Sequence, residues 1–195
     1  MIKERIIWID YVKCIGIYLI VLGHLPITNL FLRQWIFSFH VPLFFMISGV
    51  LFKSNTNTNF ATFLKNNLMT LILVTVPYYI FGMGFTGIID FMFYKDRFSI
   101  GNNLVNPIYN FLMGYDGLGP IWFLFALFWI RVICYLLSSI MRPIYIFTYS
   151  VLVAFIAYYI GFRTNYYQIS TALFALPFYS FGALYKGAAW GGYKR

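Results

Sequence analysis

A chain of 195 residues that is 62% hydrophobic and 23% aromatic, with 10% charged residues, carries more apolar side chains than a soluble core of its size can hide. Its net charge of +9 comes from single Lys and Arg residues at the ends of apolar runs, with no basic patch. That excludes nucleic acid as the natural partner and favours membrane lipids and a topological role for the charge. With no strand alternation of the kind a barrel needs, the chain reads as an all-α integral membrane protein.

Crossing the hydrocarbon takes about 20 mostly apolar residues, and six such spans are expected: 8–25, 35–52, 68–89, 121–140, 143–161 and 169–186. The basic amino terminus resembles a signal peptide at first sight. No small-residue cleavage site follows it, and Lys13 interrupts the apolar run, so the first span is expected to be retained. Within that span Lys13 and His24 stand eleven positions apart. On a helix this is roughly 1100°, about 20° past overlap, so the two side chains share a face about 16 Å apart along the axis. Asp10 lies about 40° off the same line. Ionisable groups at membrane depth cost a few kcal/mol each and usually face protein or water. That makes the stripe Asp10, Lys13, His24 a candidate site.

The second span carries His40; with His24 it makes up the chain's two histidines. A ten-residue connection would bring both imidazoles into one leaflet, His24 at the end of the first helix and His40 near the start of the second. Pro42 is then expected in the first turn of the returning helix. The bland alternative is an interfacial His40 and a His24 that caps backbone carbonyls.

Next comes Lys-Ser-Asn-Thr-Asn-Thr-Asn, residues 53–59, a polar turn, followed by a short interfacial helix over 60–67. Asp90, near the end of the third span, reads as an interfacial residue. Residues 95–120 form the longest polar connection, closed by Gly117-Leu-Gly-Pro120. Arg131 falls near the middle of the fourth span, where snorkelling is hardest. It either pairs with a neighbouring helix or offers its forked, permanent charge to an anionic group. Trp122 reads as an interfacial anchor. Cys14 and Cys134 sit inside apolar segments and read as small buried hydrophobes. No metal-ligand cluster, nucleotide-binding glycine loop or Ser-His-Asp order is present. With the amino terminus inside, eight Lys and Arg residues fall on the inner side (3, 5, 53, 65, 142, 186, 194 and 195) and four on the outer (33, 95, 97 and 163). Both termini are therefore expected in the cytoplasm.

Three stretches together carry a family resemblance: Trp8-Ile-Asp-Tyr-Val-Lys13 with the Lys13-x10-His24 spacing, Phe39-His-Val-Pro-Leu-Phe-Phe-Met-Ile-Ser-Gly49, and Ile121-Trp-Phe-Leu-Phe-Ala-Leu127. The chain resembles the amino-terminal part of the membrane-bound acyltransferase-3 family, which includes O-acetyltransferases of bacterial cell-surface sugars such as fucose 4-O-acetylase-like enzymes. The resemblance implies an inner-membrane enzyme with no bound cofactor. It would take acyl-CoA, usually acetyl-CoA, from the cytoplasmic side and acylate a carbohydrate hydroxyl. In that reading His24 is the general base and His40 a second acid–base group or acceptor contact. Lys13, Asp10 and Arg131 are donor-side or structural charges, and Trp122 lines the acceptor site. Such enzymes usually have about ten spans, so the 195 residues are expected to be one domain that is incomplete at its carboxy terminus. The rival readings are a proton-coupled transporter or flippase, with His24, Lys13 and Arg131 as relay groups, and an inactive fragment of the acyltransferase.

Overall fold

The computed structural model describes residues 7–26, 28–52, 59–96, 99–112, 121–164 and 166–191, with the side chains of 166 and 187–191 left aside. Among these every element is helical: α1 (Ile7–His24), α2 (Leu30–Val50), α3 (Phe60–Asn67), α4 (Thr75–Phe93), α5 (Asn106–Leu112), α6 (Ile121–Ser138), α7 (Pro143–Tyr159) and α8 (Ile169–Gly191). Two π-helical turns, Leu68–Ile72 and Gly101–Val105, precede α4 and α5, and a 3₁₀ turn, Tyr166–Gln168, precedes α8. Each of the six expected spans falls on a helix. Four helical stretches are long and apolar enough to cross a membrane: Ile7–His24, Leu30–Val50, the continuous Phe60–Phe93 and Ile121–Ser138. The apolar α7 is shorter, at 17 residues. Its exposed face carries Leu152, Phe155, Ile156 and Tyr159, as expected of a surface wetted by lipid.

Residues 1–53, 142–151 and 175–195 form one compact unit, and residues 54–141 and 152–174 a second. The first is organised by an antiparallel pair, α1 and α2. On α1 the buried residues are Ile9, Gly16 and Gly23, spaced by seven, which is a single seam about 20° off true per repeat. Each meets a large residue of α2. Ile9 packs with Ile47 and Val50. A Cβ on Gly16 would stand 2.9 Å from the Phe44 ring, and one on Gly23 would stand 2.9 Å from the ring of Phe37. The glycines thus let α2 present bulky rings where α1 has no side chains.

The same unit holds a closer approach between α2 and α8. A Cβ on Gly49 would fall 1.9 Å from the carbonyl oxygen of Tyr179, and one on Gly182 would fall 2.0 Å from that of Met46. Small residues at a helix crossing permit this backbone contact, which van der Waals packing then stabilises. One turn further on, Lys186 Nζ donates to Phe52 O at 2.6 Å, placing a cation at the carboxy-terminal end of α2. Ser150 of α7 and Ser180 of α8 share a buried hydrogen bond of 2.8 Å.

In the second unit residues 99–112, expected within a polar connection, are largely helical and pack back on α4. Tyr79 donates its hydroxyl to Pro107 O at 2.8 Å, and Asn103 Nδ2 donates to Asp90 Oδ2 at 2.7 Å. Asp90 is therefore half-buried and bonded to a neighbouring segment, where the sequence suggested only an interfacial position. Tyr79, Ile121 and Phe125 form a small core with Phe111 against it. The expected turn at 53–59, apart from Asn59, and the Gly117–Pro120 segment lie outside the described residues.

Candidate functional site

The turn between α1 and α2 is shorter than the sequence suggested. Asn29 caps α2, its Oδ1 accepting from Leu32 N at 2.7 Å. Asn is among the best N-cap residues, so the helix begins at Leu30 and absorbs five residues expected in the connection. Two corrections follow. Pro42 lies in the interior of α2 instead of its first turn, where it removes the N–H that would have bonded Ser38 O. His40 sits mid-helix, 8% exposed, instead of near the helix start.

His24 ends α1 and is exposed. Both imidazoles bond back onto their own helix in the same way: His24 Nδ1 lies 2.8 Å from Ile20 O, and His40 Nδ1 lies 2.8 Å from Ile36 O. A carbonyl only accepts, so Nδ1 must carry the hydrogen in each ring. A neutral imidazole so held has its lone pair on Nε2. The bond back to a carbonyl is what the bland reading foresaw for His24. It also fixes the tautomer that leaves the ring's far nitrogen as a base.

The two rings meet a common neighbour. The Phe37 ring centroid is 5.1 Å from that of His24 and 5.4 Å from that of His40. The imidazoles are therefore no farther apart than those two spans together. Because Gly23 is level with Phe37, His40 lies about 6 Å, roughly one turn, deeper than His24. The Arg33 guanidinium carbon is 5.5 Å from the same Phe37 ring, a distance at which a cation is attracted to the π face. Arg33 and Phe37 were not singled out from the sequence. The signal was present as the i, i+4, i+7 spacing of Arg33, Phe37 and His40, which lines them along one flank of a helix.

Lys13 and Asp10 do not join this cluster. Both are half-buried on α1. Lys13 shares a flank with His24 but lies about 16 Å from it along the axis. The polar stripe runs along the α1–α2 hairpin without converging on a point.

Arg131 and Trp122 belong to the second unit, on α6. They are nine positions apart, about 180° round the helix, so they face opposite ways. Trp122 is half-buried and meets Phe123 edge-on. Arg131 Nη1 donates to Asn67 Oδ1 at 3.1 Å, and buried Asn67 donates its Nδ2 to Phe63 O at 2.8 Å. This chain links α6 to the last turn of α3, where the helix widens into its π turn. Among the described residues no group of three His, Cys, Asp or Glu side chains gathers as a metal site would require.

Compared with protein families, residues 6–193 match the acyltransferase-3 model, described as an acyltransferase domain. Neither the curated proteins nor the solved structures gave a match.

Proposed function

Because this chain belongs to the acyltransferase-3 family, a membrane acyltransferase family, we propose that it moves an acetyl group from acetyl-CoA to a hydroxyl of a cell-surface or exopolysaccharide sugar. The observation that carries the reading is the His24 ring, whose Nδ1 hydrogen is taken by Ile20 O and whose Nε2 stands at the exposed end of α1. General-base catalysis needs a lone pair within hydrogen-bond reach of the reacting hydroxyl. The sugar oxygen attacks the thioester carbonyl carbon as its proton passes to His24 Nε2. The tetrahedral adduct then expels the CoA sulfur, and the imidazolium returns the proton to the departing thiolate. Ester and free CoA leave, and His24 is neutral again.

His40, buried and one turn deeper, orients the acceptor or serves as a second acid–base group. Lys13, on the same flank and nearer the proposed cytoplasmic side, meets the charged end of an extended donor. Arg131 is given the structural role its Asn67 bond supports, and Trp122 stays an acceptor-side candidate. In this reading the protein lies in the inner membrane with both termini cytoplasmic, as the excess of Lys and Arg on one side of the expected spans favours. Reporters fused at Asn29, Asn57 and Asn103 should read outside, inside and outside, and an outward reading at Asn57 would overturn that arrangement. The function itself is tested on purified protein, by acetyl-CoA binding and acetyl transfer to polysaccharide extracts. Transfer dependent on His24 supports it. Absence of both binding and transfer removes it.

A further inference from the structure

We propose that Phe37 is a positioning residue that holds both imidazoles in the Nδ1–H form, with Gly23 shaped to admit its ring and Arg33 clamping it from the loop side. This rests on the acyl-transfer reading only for its consequence in rate; the tautomers are a property of the chain alone. Four contacts converge on this one side chain: His24 at 5.1 Å, His40 at 5.4 Å, the Arg33 guanidinium at 5.5 Å, and the Cβ direction of Gly23 at 2.9 Å. The charged and titratable groups in contact with the Phe37 ring among the described residues are Arg33, His24 and His40.

An imidazole at a helix end can turn about its side-chain torsions and choose which nitrogen keeps the hydrogen. His24 is exposed, so its bond to Ile20 O competes with water, and a hydrogen bond of this kind contributes little net when water can replace it. A ring packed against the imidazole limits that turning. Phe37 can do this for His24 because Gly23 leaves the space beside it empty, and the i, i+3 step from Phe37 to His40 lets the same ring brace the buried histidine. The arrangement couples a solvent-facing base to a buried one through an apolar wall, without any hydrogen bond between them.

With two histidines in the chain, imidazole ¹⁵N spectra of detergent-solubilised protein resolve each ring, assigned by His24→Ala and His40→Ala. In the unsubstituted protein both neutral rings should show Nδ1–H. Phe37→Met, which fills much of the space without a flat face, should shift at least His24 toward a mixture of tautomers. Phe37→Tyr should restore the unmixed spectrum. In the transfer assay Phe37→Met should lower kcat about tenfold with the acetyl-CoA KM within about twofold, since the general-base term is worth about 10²–10⁴-fold in full. Phe37→Tyr should recover most of that loss. Gly23→Ala, which displaces the ring without removing it, should perturb His24 more than His40. Unsubstituted protein with both rings in the Nε2–H form, or Phe37→Met spectra identical to the parent, would overturn the proposal whatever the activity. Absence of transfer in every protein, with these spectra as expected, would instead count against the acyltransferase reading and leave the role of Phe37 standing.

Discussion

Two polar clusters interrupt the apolar helices, and they handle their hydrogen bonds in opposite ways. In the second unit Arg131 donates to Asn67, and Asn67 donates to Phe63 O. Donor meets acceptor along the chain, and the result ties α6 to α3. In the first unit His24 and His40 each use one nitrogen on a carbonyl of their own helix, which joins no two helices. Their second nitrogens have no protein partner among the described residues. An arginine has donors only, so it can fasten or bind an anion but never take a proton. A histidine fixed by Nδ1 retains an acceptor. What separates a fastening from a reactive group here is the polar capacity left over once the local bonds are made.

That contrast breaks most visibly at the histidines. His24→Ala should reduce transfer about 10²–10⁴-fold while donor binding persists, because an exposed ring at the end of α1 supports little packing. His40→Ala should give an intermediate loss if it orients the acceptor. Steady-state assays on detergent-purified protein, normalised to folded material, separate the two.

The next effect in size is mechanical. Gly49→Ala drives a methyl group into the Tyr179 carbonyl oxygen, and backbone cannot yield as a side-chain tip can. Overpacking of this kind costs about 1–3 kcal/mol or more, and the α2–α8 crossing should loosen. Denaturant titration in detergent should show a clearly lowered midpoint. An unchanged midpoint would mean that the two helices do not cross at these glycines.

Asn67→Ala sharpens the other side of the comparison. Removing the acceptor of Arg131 should lower stability by about 1–3 kcal/mol, with the acetyl-CoA KM unchanged for the protein that remains folded. A raised KM at constant stability would move Arg131 from fastening to donor binding. Smallest of all, Lys13→Arg should change turnover by only a few-fold, and Lys13→Ala by more. Charge survives the first substitution, although a forked group replaces a point charge.

Much of this architecture could be read from residues alone, for identifiable reasons. The apolar helices announce themselves because hydrocarbon demands long apolar runs, and the histidines because a polar ring is costly there; of the six expected spans, four fall on stretches long and apolar enough to cross a membrane. The start of α2 is hidden in the sequence because Leu30–Gln34, with Arg33 inside it, looks like a connection unless Asn29 is taken as a cap. That one cap moved His40 from the helix start to its middle. Residues 99–112 suggest a loop by their Asn and Gly, whereas Asn103 is bonded to Asp90 and Tyr79 reaches Pro107. Phe37 is silent in the sequence, because one phenylalanine among 23 carries no signal of its own. Its importance comes from what Gly23, Arg33 and the two histidines place around it, and that is a tertiary fact.

The account stands on His24 Nε2 as the base, and chemical rescue tests it most directly. Purified His24→Ala protein, folded and still binding acetyl-CoA, is assayed for transfer to polysaccharide with and without added imidazole. Because the site of the lost ring is exposed, free imidazole can reach it. The account predicts a large loss that imidazole partly restores, more so as its neutral fraction rises. Turnover by His24→Ala near that of the unsubstituted protein, with no imidazole added, would contradict it and move the base to His40.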